Sequence, residues 1–215
     1  MQTSDTVLAQ LGLDSFFAED RLVYDLEAGT VKNPGAERLI YVSSDLMRGI
    51  HQALLEETAD AWKIIFCNCG RTWGKRVARH LDTSLERAGR GTQSALPLEG
   101  YIAFIETYFA RHGWGVLKLD LSDAPLGLIV ARLTSSYFVA VLSDTDDLVD
   151  PLLAGILQGF LEHVSGAELA AAEIACARKG APECVFVVTA RSRLDAIEPL
   201  IGNTDADAIL ATLRG

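Results

Sequence analysis

The chain has 215 residues, with 29 Asp+Glu against 19 Lys+Arg for a formal net charge of −10, which at roughly 150 residues per domain is one large domain with at most an extension. An apolar content of 49% excludes a disordered chain, and an acidic balance argues against non-specific binding to nucleic acid, which needs a basic surface. The longest apolar runs, Pro125–Ala131 and Trp62–Cys69, stop far short of the roughly 18 residues needed to cross a bilayer.

The amino terminus carries no basic residue before Arg21, so it does not read as a secretory signal. Ser4 or Asp5 is placed to cap a short helix through Phe17. The polar stretch 27–37, with Asn33-Pro34-Gly35, is turn chemistry. Residues 1–35 therefore read as an appendage to a domain spanning 36–215. A short strand, Leu39–Val42, leads to a capping pair, Ser43/Ser44. From Asp45 to about Gly89 the apolar spacing is helical, through Leu46, Ile50, Leu54, Trp62 and Phe66, with a break expected at Asn68–Gly70. After a Gly/Ser-rich loop over 89–97, Tyr101–His112 reads as an amphipathic helix stopped by Gly113.

The period then changes. Residues 115–121 alternate as a strand does, Ser122-Asp-Ala-Pro is a turn, and Leu126–Leu133 and Tyr137–Leu142 read as two more short strands. Asp144–Asp147 is an acidic loop without the ligand spacing of a calcium site. Asp150-Pro151 opens a helix with Asp as cap and Pro at N1, and Gly166 ends it. Ala167–Ala177 would be helix on propensity alone, but the Lys179-Gly180-Ala181-Pro182 turn and the strand-like Cys184–Thr189 offer a hairpin instead. A last helix covers Asp205–Leu213.

Glu173-x2-Cys176-x7-Cys184 is the sharpest chemical feature. On a hairpin the two cysteines face each other across the turn, whereas strict alternation sends Glu173 and Cys176 to opposite faces unless a bulge re-aims one. A thiolate pair with a carboxylate is a partial zinc shell, and the alternative is a pair of buried free thiols.

The stretch Asp150-Pro-Leu-Leu-Ala-Gly-Ile-Leu-Gln-Gly-Phe, followed by Gly166 and Glu173-x2-Cys176-x3-Gly180-x3-Cys184-x-Phe186, resembles the vinyl-4-reductase domain family. That family includes a bacteriochlorophyll-synthesis protein, free-standing archaeal and cyanobacterial proteins and the sensor domains of phenol-responsive activators, and shares its fold with small subunits of the TRAPP tethering complex. The resemblance covers about 150–190 well and 38–145 more weakly. It implies a mixed α/β (α+β) domain, long helices packed on one face of an antiparallel meander completed by the Glu173–Val188 hairpin, and a homodimer.

In the phenol-sensing members a Cys twenty-three residues before the Glu completes a zinc site with Glu-x2-Cys-x7-Cys. By position the resemblance implies Glu173, Cys176 and Cys184 as ligands of a structural zinc, and the first ligand falls on Asp150. That is a departure: the carboxylate either ligates in place of the thiolate or merely caps its helix and leaves the site incomplete.

The remaining candidates are weaker. Cys67-x-Cys69 would point in opposite directions on a helix and reads as core thiols. Gly70-x3-Gly74-Lys75-Arg76 has neither the spacing nor the Ser/Thr of a phosphate-binding loop. His51, His80, His112 and His163 stand singly. Arg71, Lys75 and Arg79 share one helix face, either as a solvated stripe or as a docking surface for an acidic partner.

For function, the resemblance implies a non-catalytic module that holds a hydrophobic small molecule, such as a tetrapyrrole or its precursor, and acts in pigment synthesis or photosynthetic complex assembly through a protein partner. Trp62, Trp73, Phe104, Tyr108 and Trp114 are available to line the pocket or to fill the core. A subunit of a vinyl reductase acting on a chlorophyll precursor is the enzymatic alternative. It would need an outside hydride donor, because no Gly-x-Gly-x-x-Gly follows a strand. A scaffold or assembly factor is the third reading, and reduced cysteines suit the cytoplasm for all three.

Overall fold

A computed structural model describes residues 4–11, 13, 22–32 and 38–215. The expected turn at Asn33–Gly35 and the end of the helix expected through Phe17 lie outside them. Near the amino terminus come helix α1 (Ser4–Gln10) and a small antiparallel sheet of β1 (Val23–Asp25), β2 (Thr30–Lys32) and β3 (Arg38–Leu39). Leu8 and Leu13 are buried in the same core as the rest of the chain.

Two helices follow, α2 (Ser44–Thr58) and α3 (Ala61–Arg87). Ser43 caps α2 through its hydroxyl, which accepts from the Leu46 amide. The expected break at Asn68–Gly70 is not there: α3 runs straight through it, and the chain turns instead at Ala59, whose φ is +46°. The glycines that suggested a break serve packing. Gly70 and Gly74 lie against Gly155 and Gly159 of α6 (Pro151–Ser165). A Cβ on Gly70 would come within 2.1 Å of the Leu152 carbonyl oxygen, and one on Gly155 within 2.0 Å of that of Cys67. The two backbones touch because neither helix presents a side chain at the crossing.

Helix α4 (Leu98–Arg111) buries most of one side and ends at Gly113, which takes φ +72°. The second sheet is built from β4 (Val116–Asp120), β5 (Leu128–Thr134), β6 (Ala170–Ala175) and β7 (Cys184–Thr189), in the order β4-β5-β7-β6 and antiparallel throughout. The chain is thus the expected mixed α/β fold with an antiparallel sheet. All six residues of β7 are buried, as suits a central strand covered on both faces. One face meets α4 and α6 through Leu117, Leu133 and Phe186, and α3 packs on α6. The other meets α7 (Arg191–Ile197) and α8 (Ala206–Arg214) through Val130, Val187, Leu194 and Ile209, so the helices are not confined to one side.

Tyr137–Leu142, expected as a strand, is instead a short helix, α5 (Tyr137–Val141). Ser135 enters the left-handed region at φ +56° and the Ser136 hydroxyl accepts from the Val139 amide at 3.4 Å. That cap, with Phe138 and Val141 sunk in the core, overrides the β-propensity of the run.

Candidate metal centre

The segment Ala167–Ala177 resolves in favour of the hairpin. Strands β6 and β7 pair from Ala170↔Thr189 to Ala175↔Val185, with a register irregularity between Glu173 and Ala175. That irregularity removes the parity conflict: Glu173 and Cys176, which strict alternation would separate, both turn toward the start of α6. The turn closes through the Lys179 and Ala181 amides, which both donate to the Cys176 carbonyl, and through Gly180 at φ +88°.

One ligating atom each from Asp150, Glu173, Cys176 and Cys184 lies within 4.8 Å of every other, and all four residues are buried. The sulfurs stand 3.8 Å apart. Asp150 occupies the N-cap position of α6 but its carboxylate makes no capping bond. Oδ1 accepts from the Ser136 hydroxyl at 2.6 Å, and the Asp150 amide donates to Glu173 Oε2 at 2.9 Å. The other oxygens, Asp150 Oδ2 and Glu173 Oε1, are buried and take no hydrogen bond from any nitrogen or oxygen among the described residues. The Ala177 amide donates to Cys184 Sγ at 3.4 Å.

The electrostatics follow from four acidic groups in one dry volume. Burial pushes Asp150 up to about 6, and burial together with the neighbouring Asp150 pushes Glu173 well above the usual carboxylate range. The hydrogen bond between the thiols, then burial, raises Cys184, while the same bond holds Cys176 down at about 5. A divalent cation would let all four ionise together. The donor set fits zinc: thiolates at about 2.3 Å from a tetrahedral ion stand about 3.8 Å from each other, which is the spacing of these two sulfurs. The unsatisfied carboxylate oxygens are the remaining two donors.

The Ser136 hydroxyl, which aims Asp150, was not among the expected site residues. Its only sequence signal is the pair Ser135-Ser136 ahead of a hydrophobic run, the same capping pattern that marks Ser43/Ser44.

The other candidates disperse. Cys67 is half-buried and Cys69 exposed, so Cys69 is not the core thiol expected, because an unbroken α3 turns it outward. Of the basic face, Arg71 and Lys75 are both committed to Glu162: Arg71 Nε donates to Oε2 at 2.8 Å and Lys75 Nζ lies 2.6 Å from it. Glu162 also accepts from Gln158 and from the Leu169 amide. Burial alone would raise this carboxyl, but its bonds to Arg71 and Lys75 hold it down at about 2. Arg79 remains exposed, with Nε donating to the Lys75 carbonyl. Among the histidines, His163 pairs with Asp82 at 2.5 Å, His112 Nδ1 meets the Tyr108 carbonyl and His51 is buried edge-on to Trp62. Trp62, Phe104 and Tyr108 are core residues, while Trp73 and Trp114 are half-buried beside them. Trp114 stacks on Phe138 and meets Trp73 edge-on, and Trp73 reaches Tyr108.

No family model and no curated protein matches the sequence. Among solved structures, the phenol-responsive sensory domain of the transcription activator PoxR, determined with phenol, is similar over 100% of this chain and 99% of its own, at 17% identity and a TM-score of 0.64. Trafficking protein particle complex subunit 3 from Naegleria fowleri, covalently bound to palmitic acid, is similar over 68% of this chain and 91% of its own, at 13% identity and a TM-score of 0.51. A vinyl-4-reductase family protein from Methanocaldococcus jannaschii covers 70% of this chain and 83% of its own, at 16% identity and a TM-score of 0.48. At such identities the likeness is one of architecture. The chain has the fold of the phenol-sensor domain and of the tethering-complex subunit.

Proposed function

We propose that this chain is a non-catalytic small-molecule-binding module whose sheet is locked to its helices by a structural zinc on Asp150, Glu173, Cys176 and Cys184. The convergence of these four side chains at one buried point carries the reading. Zinc there would tie the β6–β7 hairpin to the first turn of α6 and cancel charge that the fold otherwise strands. Ser136 would orient the Asp150 carboxylate, as hydrogen-bonded neighbours orient the ligands of other metal sites.

The binding half of the proposal draws on the fold shared with a phenol-responsive sensory domain along the whole chain. The half-buried rings of Trp73 and Trp114, backed by the core rings Tyr108 and Phe138, are where a flat hydrophobic ligand would rest. A tetrapyrrole or its precursor is the ligand class the family resemblance implies. A homodimer that passes ligand occupancy to a protein partner completes the proposal. Arg79 is the cation of the basic stripe left to such a partner, since Arg71 and Lys75 hold Glu162.

The test is a mass spectrum of freshly purified protein under native conditions beside the same sample denatured. A mass excess of one zinc, absent in Asp150→Ala and in Cys184→Ser, supports the metal centre, and an apo mass from a metal-sparing preparation overturns it. An organic adduct identifies the ligand class. A folded protein that takes up neither an aromatic nor a tetrapyrrole ligand on titration overturns the binding reading.

A further inference from the structure

We infer that Cys176 and Cys184 form an oxidation-sensitive pair that closes to a disulfide when a hydroperoxide enters the cleft beside Cys176, and that closure dismantles the metal centre. The inference rests on the zinc reading above for what is lost, but the pairing itself stands on the hairpin.

Three observations carry it. First, the register places Ala175 opposite Val185, so the next step sets Cys176 opposite Cys184. Directly opposed residues of an antiparallel pair have Cα atoms about 4.5–5.5 Å apart, inside the range of about 4.4–6.8 Å that a disulfide spans. Second, the sulfurs already stand 3.8 Å apart, so side-chain rotation at a hairpin end brings them to the bonding distance of about 2.05 Å without moving the strands. Zinc holds the two sulfurs as thiolates, at about 2.3 Å each, and a disulfide between them leaves no thiolate to bind the metal. Third, a cleft reaches the hairpin end that carries Cys176, a residue itself only 1% exposed. This cleft of about 400 Å³ opens between the hairpin turn and the segment preceding α8, and Cys176 lines it together with Lys179, Pro182, Glu183 and Thr204. Cys184 does not line it, which sets the order of events.

The chemistry balances with the peroxide as the oxidant. The Cys176 thiolate attacks one peroxide oxygen, the O–O bond breaks, and hydroxide leaves a sulfenic acid on Cys176. The Cys184 thiolate then attacks that sulfur, the S–S bond forms and the S–O bond breaks with loss of a second hydroxide. The two sulfurs together lose two electrons, the peroxide is reduced to two hydroxides that take up protons, and a zinc ion deprived of both thiolates is released. Cys67 and Cys69 cannot follow this course with each other, because residues two apart on the unbroken α3 point away from one another.

The test uses the purified full chain, as isolated and with reductant removed, in a background carrying Cys67→Ser and Cys69→Ser so that only the pair reports. Hydrogen peroxide is added beside a chromogenic zinc chelator. The expected result is loss of both alkylatable thiols, a mass lower by two hydrogens, a single linked peptide joining Cys176 to Cys184, and zinc released in equal amount and recovered by the protein after a dithiol reductant. In Cys184→Ser the reaction stops at a sulfenic acid on Cys176, trapped by a dimedone-type reagent. Protein that holds zinc but keeps both thiols and all its metal under peroxide overturns the inference and leaves the zinc reading intact. Protein that forms the linked peptide yet never held zinc supports the pairing and overturns the zinc reading instead.

Discussion

Replacing Gly155 by alanine tests the helix crossing on which the whole inner layer depends. A Cβ at Gly155 would lie 2.0 Å from the Cys67 carbonyl oxygen and 2.8 Å from the Arg71 amide nitrogen, against an ordinary contact beginning at 3.4 Å. Both obstacles are backbone, so no side chain can swing aside, and α3 and α6 must separate by about 1 Å or more. Overpacking of this kind costs about 3 kcal/mol at the upper end of its usual range. Alanine recovers about 1 kcal/mol of that through its helix propensity, leaving a net loss of about 2 kcal/mol. For a chain of this size that lowers the melting temperature by about 4–8 °C. Gly49, inside α2, supplies the contrast: a Cβ there meets nothing within 4 Å, so Gly49→Ala gains about 0.5–1 kcal/mol through the same propensity. Thermal and urea unfolding followed by far-UV circular dichroism read both variants. If Gly155→Ala melts with or above the wild type, the close crossing is not what the Gly70/Gly74 and Gly155/Gly159 positions are for.

Three further outcomes follow from the same geometry. Saturating zinc at about a thousand times its Kd should raise the unfolding free energy by about 4 kcal/mol; a chelator should remove the gain in the wild type and change nothing in Cys184→Ser, and an equal chelator effect on both would place the metal elsewhere. Glu162 is held below its unfolded pKa, so its contribution is present above pH 4.5 and is lost as pH falls toward about 2. Glu162→Gln should therefore destabilise at pH 7, by roughly 2 kcal/mol, the scale of hydrogen bonds to a charged group, and should flatten the acid limb of the stability profile; an unchanged limb would show that Arg71 and Lys75 do not depend on it. Under native conditions a bulky thiol reagent should label Cys69 well before Cys67, Cys176 or Cys184, in the order of their exposure, as peptide mapping would report.

Local chemistry, legible in the sequence, determined where most elements begin and end. Pro151 at the first turn of α6, Gly166 at its end with φ +66°, Gly113 after α4, the turn around Gly180 and the Asp205 cap of α8 all do in the structure what their residue types require. These signals are local because each rests on one residue's permitted φ or on a hydrogen bond spanning three or four positions. The spacing of Glu173, Cys176 and Cys184 belongs to the same class, since a hairpin turns a short separation in sequence into facing side chains.

Tertiary structure decided the rest. Tyr137–Val141 has the composition of a strand and becomes a helix because Ser136 caps it and the core takes Phe138 and Val141. Gly70 looks like a helix breaker and is a contact point, a difference made by a helix more than eighty residues further along the chain. The stripe of Arg71 and Lys75 gives no hint of Glu162, which reaches it only once α3 and α6 have packed. Asp150 is a plausible helix cap in sequence; only the fold turns its carboxylate away from the helix, onto Ser136 and into the company of Glu173 and two thiols. Each of these outcomes is a competition between a weak local preference and burial against a distant partner, and burial in a close-packed interior is the larger energy.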